Sequence, residues 1–172
     1  AHRSACDFLI WPLVGKNSAR NRLTRLCFAP PKPDAGGYGS NFIPVAALVD
    51  TNILVYRFDP RFPEKQAIAY ALLRRDIEEN SIRVPHQAVI EFVAAATRPL
   101  TGDRSLLSAR EARREAEEFL AQFTILYPNE ALLRLAFRGA AAYQLSWFDA
   151  HLWAYAEYYN LEELLSEDFQ HD

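Results

Sequence analysis

From residue 45 onward, short apolar runs alternate with longer stretches in which apolar and charged residues recur at helical spacing. Val45-Ala46-Ala47-Leu48-Val49 closes on Asp50 and predicts a fully buried parallel strand. Thr51 to Phe58 predicts a short helical turn. Pro63 to Asn80 sets Ala67, Tyr70, Ala71 and Leu73 against Lys65, Arg74, Arg75, Glu78 and Glu79, the pattern of an amphipathic helix. A strand over Ile82-Arg83-Val84 follows. Pro85 opens a helix over His86 to Arg98, at a position where its missing N–H is harmless, and Pro99 stops it. Leu106 to Ala121 is helical and charged, Phe123 to Tyr127 strand-like, Ala131 to Tyr143 and Trp147 to Tyr159 helical, and Glu163 to Ser166 a strand.

Strands separated by helices of this length imply βαβ crossovers. The expected fold class is therefore α/β, in three layers, with a central parallel sheet between helices. Ligands of such sheets bind at the carboxyl ends of the strands, so polar residues just after strands are the first to consider.

The first 44 residues break this pattern. Residues 29–44 are dense in Pro and Gly and read as a linker, and residues 1–28 sustain neither a period of 2 nor one of 3.6. The expected organisation is an irregular basic extension over 1–44 and one domain over 45–172. The extension holds six Lys/Arg against two Asp; the remainder is acidic, with 13 basic and 20 acidic residues. A basic arm touching nucleic acid is an alternative reading of the extension. The sequence has no methionine, and Val45 is a candidate start of translation.

The overall composition, half hydrophobic and 13% aromatic, belongs to globular proteins with one ordinary core. No run approaches the roughly 20 apolar residues that a membrane span needs. Residues 8–14 are too short for one and lack a signal peptide's cleavage pattern. Cys6 and Cys27 both precede residue 45, so the acidic part has no thiol to oxidise, which fits the cytoplasm.

Four acids carry the candidate chemistry. Asp50 ends the first strand and Asp168 follows the last by two residues, while Asp149 sits in a first helical turn. Glu91 lies among Ala88, Val89, Ile90, Phe92, Val93 and Ala94, where an unpaired charge is expensive. Each has a structural alternative: Asp50 as a helix cap, Asp149 in a capping box with Ser146, Glu91 facing water or pairing with Arg98, Asp168 as a solvated charge. Converging, they would repel one another unless a cation sat between them. Oxygen ligands without Cys or clustered His select Mg²⁺ or Mn²⁺, ions that activate water in phosphodiester hydrolysis.

Four stretches resemble the PIN-domain family, and within it the VapC-type toxin ribonucleases: Leu48 to Tyr56, Gln87 to Phe92, Tyr143 to Ala150, and Leu164 to His171. The resemblance implies an acidic metal site of Asp50, Glu91, Asp149 and Asp168, with Thr51 or Asn52 supporting it and Ser166 lining the pocket. Within Ser166-Glu167-Asp168 the family pattern favours Asp168. It further implies a cytoplasmic, homodimeric, Mg²⁺- or Mn²⁺-dependent endoribonuclease silenced by a cognate antitoxin. The sequence departs from the family in its extension before Val45 and in stopping where relatives continue into a further edge strand.

The acidity of the domain argues against broad binding of nucleic acid, so recognition of RNA is expected to be local. Arg98 and Arg104 are candidate backbone contacts, whereas Arg110, Arg113 and Arg114 fit ion pairs along a solvated helix face. The aromatic helix from Trp147 to Tyr159 reads as core or interface in preference to a base-stacking platform. Two rivals remain: a catalytically silent module that binds a partner protein, and a phosphatase with an Asp nucleophile. The second expects an acid two residues after Asp50, where Asn52 stands.

Overall fold

A computed structural model of the chain describes residues 46–100, 104–167 and 169, and the backbone of residues 24–27. The elements run β1 (Thr24–Cys27), β2 (Ala47–Val49), α1 (Thr51–Tyr56), α2 (Pro63–Glu79), β3 (Ile82–Pro85), α3 (His86–Thr97), α4 (Ala109–Gln122), β4 (Thr124–Leu126), α5 (Glu130–Tyr143), α6 (Trp147–Tyr158) and β5 (Glu163–Ser166). From β2 onward every element stands where the periodicity puts it, with ends moved by a few residues.

The sheet order is β1-β5-β2-β3-β4. Its four inner-domain strands, β5, β2, β3 and β4, are mutually parallel, as helical crossovers require. β1 adds an antiparallel edge, Thr24 opposite Ser166 and Cys27 opposite Glu163. The sequence reading assigned no strand there, because four residues are too few for a two-residue period to register. The rest of the expected irregular extension and linker lies outside the described residues.

Alternation along the strands divides the core between the two faces of the sheet. Ala47, Val49, Ile82, Val84 and Leu165 face α1 to α4 and pack with Phe92 and Phe119. Leu48, Leu126 and Leu164 point the opposite way, toward Leu132 and Ala136 of α5 and Leu152 and Tyr155 of α6. These are the three layers: helices, sheet, helices. Phe92 and Phe119 meet edge to face at 4.9 Å and join α3 to α4.

Caps fix where the helices start. Ser108 and Glu111 form a capping box that opens α4 three residues later than the periodicity places it. Asn129 accepts from the Leu132 backbone at 2.9 Å to open α5, and Ser146 does the same for Asp149 at 3.2 Å to open α6. Between α5 and α6 the fit is close: a Cβ built on Gly139 would stand 2.4 Å from Cε3 of Trp153.

Candidate active site

β2 ends at Val49, and the next residue, Asp50, is at once the last rung of the sheet and the cap of α1. Its backbone N–H donates to the Leu165 carbonyl at 3.0 Å, continuing the β2–β5 ladder. Its side chain accepts from the Thr51 backbone N–H at 2.6 Å. The helix-cap reading of Asp50 is therefore correct, and it leaves the second carboxylate oxygen available. That oxygen accepts from the Ser166 hydroxyl at 2.5 Å and from the Asn52 amide at 3.0 Å.

Glu91 reaches the same place from α3. The Thr51 hydroxyl donates to one of its oxygens at 2.7 Å, and the Gln87 amide to the other at 2.7 Å. Asp149, in the first turn of α6, accepts from the Ser146 hydroxyl at 2.7 Å. Each of these three carboxylates thus has a hydroxyl of its own: Ser166 for Asp50, Thr51 for Glu91, Ser146 for Asp149. Hydrogen bonds to a charged carboxylate are shorter and stronger than neutral ones and fix its orientation.

Charge and burial also act on Asp50. Burial pushes the Asp50 carboxyl above its ordinary range, and the nearby charges of Glu91 and Asp149 push it the same way. The bonds from Ser166 and Thr51 oppose the rise. The structure thus brings Glu91 and Asp149 within electrostatic reach of Asp50, with Thr51 bonded to both Asp50 and Glu91 and with Asn52 and Ser166 bonded to Asp50. Asp168 lies outside the described residues. Arg98 and Arg104 are exposed near the C-terminal end of α3, with Arg98 roughly 10 Å along the axis from Glu91.

Two supports went unread in the sequence. Gln87 lies one helical turn before Glu91, and its i,i+4 spacing was the available signal. Lys65 of α2 donates to both the Glu167 carboxylate and the Tyr56 hydroxyl, and its ammonium lies 4.7 Å and 5.0 Å from the Tyr56 and Phe62 ring centroids. No periodicity links residues 65 and 167, so this pair was not legible. It ties the carboxylate of Glu167 to α2.

Residues 47–172 match the family model of the PIN domain. The chain belongs to the PIN-domain family. PIN domains are generally nucleases and typically use divalent metal ions. The fold is also similar to a solved structure of a toxin-antitoxin complex from Klebsiella pneumoniae, at 21% identity and a TM-score of 0.52, over 73% of this chain and 89% of that one. Among curated proteins there is no match.

The donor set of this PIN domain suits a hard divalent cation: carboxylates, hydroxyls and an amide oxygen, without thiol or imidazole. The Asn52 Oδ1 atom is buried between these groups without a hydrogen-bond partner, an acceptor that a cation or its water would satisfy. Among the described residues, however, no three acidic or imidazole side chains stand close enough to share one ion.

Proposed function

We propose that this PIN domain is a metal-dependent endoribonuclease, the toxin of a toxin–antitoxin pair acting in the cytoplasm, with Asp50, Glu91, Asp149 and Asp168 as its acidic site. The observation that carries the reading is that Asp50, at the carboxyl end of β2, lies within electrostatic reach of Glu91 on α3 and Asp149 on α6, with Thr51 bridging from the Asp50 turn to Glu91 at 2.7 Å. A buried carboxylate at Asp50, raised by burial and by the charges of Glu91 and Asp149, is held at an energetic cost that a divalent cation relieves.

A Mg²⁺ or Mn²⁺ ion bound there would activate a water and offset charge on the phosphodiester. The side chains supply the rest. Ser166 and Thr51 orient Asp50 and Glu91 by hydrogen bonds, and Asn52 donates to the same Asp50 oxygen as Ser166. Asp149, on α6 in the opposite helical layer, would supply the third carboxylate. Arg98 and Arg104 remain candidate contacts for the RNA backbone. The similar fold in a toxin-antitoxin complex supports an antitoxin as partner. The exposed stack of Phe137 on Trp147, at 5.0 Å, supports a homodimer.

The test is cleavage of transfer RNA by purified protein with Mg²⁺ or Mn²⁺, run beside Asp50→Asn. The parent is expected to cut and the variant not, with both folded by circular dichroism. Equal cutting by both would mark a contaminant.

A second reading, a silent module that binds a partner protein, is favoured by the lack of a shared three-carboxylate site among the described residues. A Mn²⁺ titration that finds no bound ion would decide for it.

A further inference from the structure

Both Glu91 and Asp149 are preceded in their helices by a large apolar side chain that folding leaves in water. Ile90 is 56% exposed and Phe148 60%, the latter the most exposed large hydrophobic residue among those described. They are not scattered. Ile90 and Phe148 line one cleft of about 540 Å³ together with Glu91, His86, His151 and Leu133. The cleft is continuous with the acid cluster, since Glu91 belongs to both. Whatever fills it lies next to whatever is held by the acids.

We infer that this cleft is a nucleobase subsite, which takes one unpaired base of the RNA beside the cleaved phosphate. The inference rests on the nuclease reading for the identity of the polymer. Three observations specify the occupant. The volume falls within the range of small-molecule pockets and leaves ample room for one base. The exposed wall is mostly apolar and the rings of Phe148 and Tyr155 line the cleft, an aromatic surface of the kind bases stack on whatever their sequence. Polar groups stand at its margin: the His151 Nδ1 bonds the Trp147 carbonyl at 3.1 Å, and a carbonyl only accepts, so the ring hydrogen lies on Nδ1 and Nε2 is left for a ligand. A base edge offers both donors and acceptors to such a group. An acidic domain has little general attraction for phosphates, and stacking supplies affinity that does not depend on charge.

The experiment uses a short fluorescein-labelled single-stranded RNA and a series in which each nucleotide in turn is an abasic ribose. Binding is read by fluorescence anisotropy with Mg²⁺, in the Asp50→Asn background and in the same background carrying Phe148→Ala. One abasic position is expected to weaken binding roughly tenfold, Phe148→Ala is expected to weaken the intact RNA by a similar factor, and the two losses are expected not to add. Ile90→Ser gives a second variant at the opposite wall, and both positions are exposed, so the fold is retained.

Equal losses by Phe148→Ala on intact and abasic RNA, or no loss on either, would overturn the subsite, as would an RNA that does not bind at all. A change from dimer to monomer by light scattering, with uniform loss across the series, would instead assign the cleft to a second copy of the chain. The nuclease reading fails separately: its failure is absence of cleavage by the unmutated chain while the discrimination between intact and abasic RNA persists.

Discussion

The Ser166 hydroxyl donates to the Asp50 carboxylate at 2.5 Å, joining the carboxyl end of β5 to that of β2 across a separation of 116 residues. Ser166 is fully buried, and it is the only hydroxyl that reaches Asp50 among the described residues. Its replacement by Ala leaves a buried carboxylate oxygen one donor short. We expect a stability loss of about 2 kcal/mol, the usual size for a hydrogen bond to a charged group, and a tenfold or greater weakening of Mn²⁺ binding. Urea unfolding and isothermal titration calorimetry measure the two.

Thr51 is expected to act through Glu91. Thr51→Val keeps the shape of the side chain and removes the 2.7 Å bond to Glu91, so nuclease activity should fall about tenfold with little change in unfolding. Thr51→Ser restores the hydroxyl and should restore the rate. Steady-state cleavage of a labelled RNA compares the three proteins. If serine and valine behave alike, the hydroxyl has no part in orienting Glu91.

Asp59 gives a pH signature away from the site. It is buried and accepts from the Arg61 guanidinium at 2.8 Å and 2.6 Å, and from its backbone N–H at 3.1 Å. These bonds hold its carboxyl below the ordinary range. A lowered value in the folded state gives stability that is complete above the unfolded value, about 3.9, and is lost as pH falls through the folded one. Asp59→Asn should therefore be less stable than the parent by about 2 kcal/mol near neutrality, with the gap narrowing below about pH 4. Chemical denaturation at a series of pH values reads the gap.

Gly139→Ala sets two effects of opposite sign against each other. Within a helix, Ala is better than Gly by about 1 kcal/mol. Here the added Cβ would stand 2.4 Å and 2.5 Å from two carbons of the Trp153 ring, which is itself packed edge to face on Tyr143. Overpacking of this kind costs about 1–3 kcal/mol, so the net change should be destabilising. A thermal melt higher than the parent's would show that α5 and α6 have room to part.

The layered fold was legible because Leu48, Leu126 and Leu164 on one side and Val49, Val84 and Leu165 on the other belong to runs whose periods are set by backbone geometry. The acids were legible one by one, as residues after strands or amid apolar neighbours. Their hydroxyl partners were only half legible. Thr51 and Ser166 entered through family resemblance, and Ser146 only as a cap. Lys65 was invisible, because its tie to Glu167 depends on how α2 lies across the end of β5, and no local pattern encodes that. The antiparallel pairing of Thr24–Cys27 escaped for the same reason: its partner strand is at the other end of the domain.

The distance along the chain between Asp50 and Ser166 bears on synthesis as well as on architecture. On a ribosome, the segment up to β4 emerges with its first carboxylate already made but lacking the hydroxyl that orients it and the helix that brings Asp149. Such an intermediate has no assembled site. The ligand side chains of the site are therefore brought together only after β5 has left the exit tunnel, so any activity that depends on them is withheld until then.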